Sequence, residues 1–317
     1  MTRPSRRSRF PDGRALVVAA ALALAALPGR AAWAQACCAG GTVVTPARLA
    51  LHEDAAVGVQ LRARTNQGSF GPSGRYAASD GLEQIFEQDF AATFRVFEKA
   101  QLGAVLPVLQ THRSASGLDD WGGGVGDLAL TARYDFLLPT ETVSWPGVAL
   151  LAAATLPTGR PTDGATHPLA ADATGAGTYD ATLGVGLEKV VGHLYFGVNG
   201  WITHRFARTQ SPAGMTPLTQ SFSARFAGLA AAGYVFDSEA ALALYVNTFD
   251  EGPSTLNGAQ DPTTRLRLTT VGGAFAMPLG DRWRAQGAIY GDVPIAAFGR
   301  NEPAGFGMSA TLVRAWL

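Results

Sequence analysis

The residues with chemical potential in this chain are mostly charged, and many recur two apart. Glu87 and Asp89, Arg133 and Asp135, Arg265 and Arg267, and Arg282 and Arg284 all follow this spacing. On an extended chain a spacing of two places side chains on one face. Such a face, turned into a confined space, could do two kinds of work. It could form a charged constriction that selects solutes, or its arginines could pair with carboxylates such as Glu87, Asp89, Asp127 and Glu188 and hold the structure together. Other chemistry is poorly supported. His204 falls on the apolar parity of its segment, whereas Ser221 and Ser223 fall opposite the apolar Phe222 and Ala224, so the His–Ser hydrogen bond of nucleophilic catalysis is not set up. His52, His112, His167 and His193 are scattered without metal-ligand spacing. Gly122-Gly123-Gly124-Val125-Gly126 has the look of a nucleotide loop, but no helical pattern or partner lysine follows it. No catalytic residue, metal or cofactor is expected.

The elements that would position these residues begin after a targeting segment. Arg3, Arg6, Arg7, Arg9 and Arg14 precede an unbroken apolar run, Ala15 to Leu27, and Ala32-Trp33-Ala34 provides a small-residue cleavage site, with Ala34-Gln35-Ala36 as a second choice. The run is short for a membrane span, so residues 1–34 read as a signal peptide and 35–53 as a periplasmic tail. Residues 1–34 hold six of the 25 basic residues and one of the 25 acidic ones, leaving 19 and 24 and a net charge of −5. That balance argues against a nucleic-acid partner. The tail contains Cys37 and Cys38, which are adjacent and could bridge only with strain. They could also hold a soft metal or a lipid, but no other Cys or His is near in sequence and Gln35 spoils a lipidation box. A passive pair is the simpler reading.

From residue 54 to 317 a period of two dominates. Twelve candidate strands cover 54–65, 85–97, 100–112, 125–138, 145–156, 178–190, 194–206, 219–236, 239–249, 263–278, 281–293 and 304–317. Most are longer than the ~5–6 residues of ordinary globular strands and suit a tilted crossing of a bilayer, which takes about 9–11. The connections alternate between long and short, which is the pattern of an antiparallel transmembrane β-barrel with short periplasmic turns and long outer loops. The longest are 66–84 and 157–177. The expected fold is therefore all-β, a barrel of about 12 strands preceded by a signal peptide, located in the cell outer membrane.

The two faces separate by polarity. Phe90, Phe94, Leu183, Val185, Phe196, Val198, Leu244 and Ile289 are candidates to meet lipid. Candidates to line the pore are Glu87, Asp89, Arg95, Asp127, Arg133, Asn199, Arg205, Arg225, Tyr245, Arg265, Arg267, Arg282 and Arg284. Segment 145–156 is apolar on both faces and does not declare its orientation.

The succession Gly126-Asp127-Leu128, Arg133-Tyr134-Asp135-Phe136, Leu156-Pro157-Thr158-Gly159 and the run Gly175 to Gly184 resembles the outer-membrane transporters grouped with the phenol meta-pathway degradation proteins. These look like small relatives of hydrophobic-compound uptake channels. The resemblance is clearest over about 120–206. It implies an outer-membrane barrel that carries small molecules, hydrophobic or aromatic ones among them, whereas the polar inner face argues for small polar or anionic solutes. The chain departs from the usual barrel ending on an aromatic residue: Val313, Ala315 and Leu317 keep the alternate apolar pattern and Trp316 is one place early. Expected partners are outer-membrane lipid, an unidentified solute and the barrel assembly machinery. A structural or adhesive barrel working through loops 66–84 and 157–177 is the alternative.

Overall fold

The computed structural model of the protein describes residues 49–50, 52–139, 145–210 and 217–317. The signal segment, Cys37 and Cys38, and the tips of two connections lie outside these residues. In chain order the barrel strands are β1 (Ala55–Phe70), β2 (Tyr76–Phe97), β3 (Ala100–Ala115), β4 (Leu118–Val125 and Leu128–Leu137, interrupted at Gly126-Asp127), β5 (Gly147–Leu156) and β6 (Asp180–Val191). They continue as β7 (Leu194–Arg205), β8 (Arg225–Val235), β9 (Ala241–Glu251), β10 (Leu266–Pro278), β11 (Trp283–Asp292) and β12 (Pro303–Trp316). Each pairs antiparallel with the next, and β12 returns to pair with β1, closing a twelve-stranded barrel. The closing register runs from Ala55 opposite Trp316 to Ser69 opposite Pro303.

The alternation of side chains fills two different environments. Val57, Leu61, Phe90, Leu183, Val185, Leu244 and Ile289 are exposed on the outside, forming the apolar belt that a lipid-facing barrel needs. Inside, a cluster of Tyr195, Leu229, Ala231, Ala243, Tyr245, Ala274 and Ala288 is buried, with Trp201 and Tyr290 packed against it. The ambiguous β5 is resolved by its neighbours. Ala149 is buried inward while Leu150 and Ala154 are exposed. Small inward residues are needed there because β6 presents Glu188 opposite Gly147.

Three expectations are corrected. The connections at 66–84 and 113–124 are mostly strand: β1 and β2 extend to a turn at 71–75, and β3 and β4 to a turn at Ser116-Gly117. Both turn residues have left-handed backbone, with φ of 53° and 80°, which a two-residue hairpin turn requires. Gly122 to Gly124 is not a loose loop. A side chain at Gly122 would strike the backbone of Ala171 and Asp172, so glycine here permits the outer loop 157–177 to lie directly on the strand. The end of the chain has the opposite parity to the one expected. Val313 and Ala315 are buried inward, while Met308, Leu312, Arg314 and Trp316 are exposed outside. The aromatic residue thus does face lipid. Arg314 is carried on that face because it sits at the barrel's end, over Trp283 and Trp316, with its guanidinium carbon 5.7 and 5.0 Å from the ring centroids.

This asymmetry of depth gives a direct test. Leu244→Arg, in the apolar belt, should destabilise the barrel by about 2–4 kcal/mol, whereas a charge exchange at the position of Arg314 should cost only about 0–1 kcal/mol. Urea unfolding in lipid vesicles measures both.

Candidate channel lumen

The inner face is built in layers along β1. At the end where β1 begins and β12 ends, Leu49, Ala50 and Glu53 are buried in the barrel. The Ala50 amide donates to Glu53 Oε2 at 2.7 Å, and Leu49 packs with Ala56, Ala91, Val313 and Ala315. Arg284 closes on Glu53 at 2.8 Å. Arg95 donates to the carbonyls of Ala50, Glu53 and Glu98, and Gln101 Oε1 accepts from Leu49. Across the lumen, Arg133 pairs with Asp135 at 2.7 Å and Glu188 at 3.4 Å.

In the middle, Arg62 pairs with Asp89 at 2.6 Å and Glu87 at 3.4 Å. A cavity of about 290 Å³ opens beside it, lined by Arg62, Arg64, Ile85, Glu87, Tyr245 and Tyr290 among others. Both tyrosines lie flat against the wall, and glycine makes this possible. A side-chain carbon at Gly272 would come 2.5 Å from the Tyr245 ring, and one at Gly307 would come 2.6 Å from that of Tyr290.

Towards the outer mouth the arginines remain paired. Arg64 meets Asp292 at 2.7 Å, and Arg113 meets Glu83 at 2.8 Å. Glu251, buried, accepts from both Arg205 at 3.1 Å and Arg225 at 2.7 Å. Glu302, in the loop entering β12, shares this neighbourhood; desolvation pushes its carboxyl up to about 7.

The structure therefore puts Glu87, Asp89, Arg133, Asn199, Arg205, Arg225, Tyr245 and Arg284 on the inner face and Arg95 at its terminal end. Four candidates fall elsewhere. Asp127 does not face open lumen: it accepts from the amides of Gly159 at 2.9 Å and Ala176 at 2.7 Å, anchoring the outer loop in the break of β4. Arg265 and Arg267 share Asp250, which belongs to the outward series of β9 with Leu244 and Val246. β10 has the parity opposite to the one expected, with Val271 and Phe275 exposed outside. The two cations are tolerated there because they lie at the outer rim with a carboxylate between them. Arg282 is exposed in the turn before β11. Sequence reading missed Arg62, Arg64 and Arg113, whose alternation along β1 and β3 is the same signal, and the inward alanines, which carry no such signal.

Loop 157–177 has its own polar lock. Asp172 is buried and accepts from Thr166, His167 and Arg160; these bonds hold its carboxyl well below the usual range despite desolvation. His167 Nδ1 meets Asp120 at 2.8 Å. That hydrogen bond raises the imidazole's pKa above its ordinary value, so the charged pair is complete below the unfolded histidine value of about 6.5 and is lost as pH rises through the folded value. Amide exchange in 166–172 should accelerate across that rise more than the chemistry of exchange dictates, and His167→Ala should remove the excess.

Among the described residues no group of three or more His, Cys, Asp or Glu is placed to hold a metal ion. His204 packs edge-on to Phe206, and the Ser223 hydroxyl donates to the Pro253 carbonyl, so neither is set for catalysis with the other.

The architecture is that of an outer-membrane β-barrel. No protein-family model matches the sequence, and no curated protein does. Among solved structures, the COG4313 outer membrane channel from Pseudomonas putida F1 is similar with a TM-score of 0.71 and 16% identity, over 86% of this chain and 98% of that one. The translocator domain of autotransporter NalP from Neisseria meningitidis gives 0.47 and 12%, over 83% and 88%. The CymD monoaromatic hydrocarbon channel gives 0.43 and 9%, over 89% and 94%. At 16% identity the likeness to the P. putida channel is one of fold.

Proposed function

We propose that this protein is a narrow outer-membrane channel for small molecules, favouring single-ring compounds with a polar substituent. The mid-lumen cavity carries the reading. Its about 290 Å³ limits the solute to small size, and its wall is two-sided. Tyr245 and Tyr290, backed by the apolar cluster around Leu229, suit an aromatic ring. Arg62, Arg64 and Glu87 suit a hydroxyl or carboxylate. The resemblance to phenol meta-pathway transporters points to the same class, and the fold is shared with a channel of P. putida. The two-sided wall accommodates both the aromatic expectation and the polar one.

Selection would rest on size more than on charge. Arg62, Arg64, Arg113, Arg133, Arg205, Arg225 and Arg284 all have carboxylate partners, so the charge of these seven is balanced where they line the path. The paired reading of the inner arginines is favoured over a selective ring.

Swelling of vesicles containing the refolded protein should be fast with phenol-sized solutes and absent with disaccharides. Gly307→Val, which drives the Tyr290 ring into the cavity, should slow it severalfold. A correctly folded protein that admits no solute and carries no current would instead support the structural or adhesive reading. Exchanging Glu53 and Arg284 together for glutamines removes the buried pair without stranding one charge and should raise conductance by loosening this end of the lumen. Glu302 should add negative charge to the outer mouth as pH rises through about 7, increasing cation preference in bilayer recordings. Glu302→Gln should abolish that rise.

A further inference from the structure

A trough crosses the outer surface of the barrel near its extracellular rim. It follows from three horizontal rows of side chains in register across β8, β9 and β10. The middle row is Gly228, Thr248 and Thr269, all short, with the two threonine hydroxyls hydrogen-bonded at 3.0 Å. The row below is Ala230, Val246 and Val271, which belongs to the lipid-facing belt. The row above is Phe226, Asp250 and Arg267, continued by Arg300, which stands opposite Arg267 in a short strand pairing. Phe226 and Phe298 are exposed at the groove's edges, and the groove measures about 390 Å³.

The two sides of the trough differ in chemistry. Below lies hydrocarbon. Above, Asp250 is shared by Arg265 and Arg267, and Arg300 stands opposite Arg267. Arg300 has no carboxylate partner among the described residues. An apolar trench open to the bilayer with an excess of guanidinium groups at its upper lip fits a ligand that has an acyl chain and a phosphate. Guanidinium forks match phosphate oxygens well, and short side chains below leave room for a chain to lie against the wall.

We propose that this trough is a binding site for a phosphorylated lipid of the outer leaflet, with an acyl chain over Gly228, Thr248 and Thr269 and a phosphate on Arg267 and Arg300. The site lies on the outer wall and is independent of what passes through the lumen.

Native mass spectrometry of the detergent-solubilised protein, titrated with diphosphoryl lipid A, tests it. The wild-type chain should bind one lipid tightly, and excess inorganic phosphate should leave the complex intact. Arg267→Gln combined with Arg300→Gln should weaken binding about tenfold or more, the scale expected for lost charged hydrogen bonds. Gly228→Phe keeps every charge but fills the trough, and should weaken binding comparably. Heat-modifiable gel mobility verifies that each variant is folded; Arg300→Gln alone, at a residue with no carboxylate partner, serves if the double variant is not. Unchanged affinity in the arginine variants overturns the phosphate contact, and unchanged affinity in Gly228→Phe overturns the trough. Displacement by inorganic phosphate would reveal a free-anion site and overturn the proposal.

Discussion

The pairing of β12 with β1 is the constraint on which everything else depends. Hydrocarbon offers no hydrogen bonds to an open sheet edge, so a sheet that spans a membrane must close on itself. With twelve strands the closed wall encloses a narrow space. Side chains on its inner face cannot spread into bulk water and must find partners within reach. The layered ion pairs, from Glu53–Arg284 through Arg62–Asp89 to Glu251 with its two arginines, are the consequence of that confinement.

Confinement also explains where glycine and alanine occur. A buried tyrosine inside a narrow barrel needs a flat wall, and Gly272 and Gly307 provide it opposite Tyr245 and Tyr290. The same logic operates at the outer rim, where Gly122 lets loop 157–177 rest on β4 and Asp127 receives that loop's amides. On the exterior the glycine effect is reversed. There, Gly228 and the threonines beside it leave a depression that lipid can enter. Small residues thus set the space left on the inner wall and on the outer wall alike.

Much of this was legible because the membrane imposes a simple code. Lipid penalises charge on one face, so the outward positions of β6, β7 and β9 followed from polarity alone. The inner positions of Arg133, Arg205 and Arg225 followed with them. The code weakens where the penalty fades. Near the rims, charge is tolerated on either face, and there parity failed for Arg265, Arg267 and the segment Val313 to Leu317. It also failed to separate strand from loop where a hairpin rises beyond the bilayer, as at 66–84 and 113–124, because glycine-rich extended chain and loop look alike in composition.

The sequence by itself determined the barrel class, its strand number and several inward charges, Glu87, Asp89, Arg133, Arg205 and Arg225 among them, because alternation is a local property that one strand reports without its neighbours. Tertiary structure alone decided which charges pair, that Leu49, Ala50 and Glu53 are buried in the barrel, and how much space remains between Arg62 and the two tyrosines. These depend on contacts between residues far apart in the chain: Glu53 with Arg284, Arg64 with Asp292, Tyr290 with Gly307. Register across a closed sheet brings them together, and no local pattern records it.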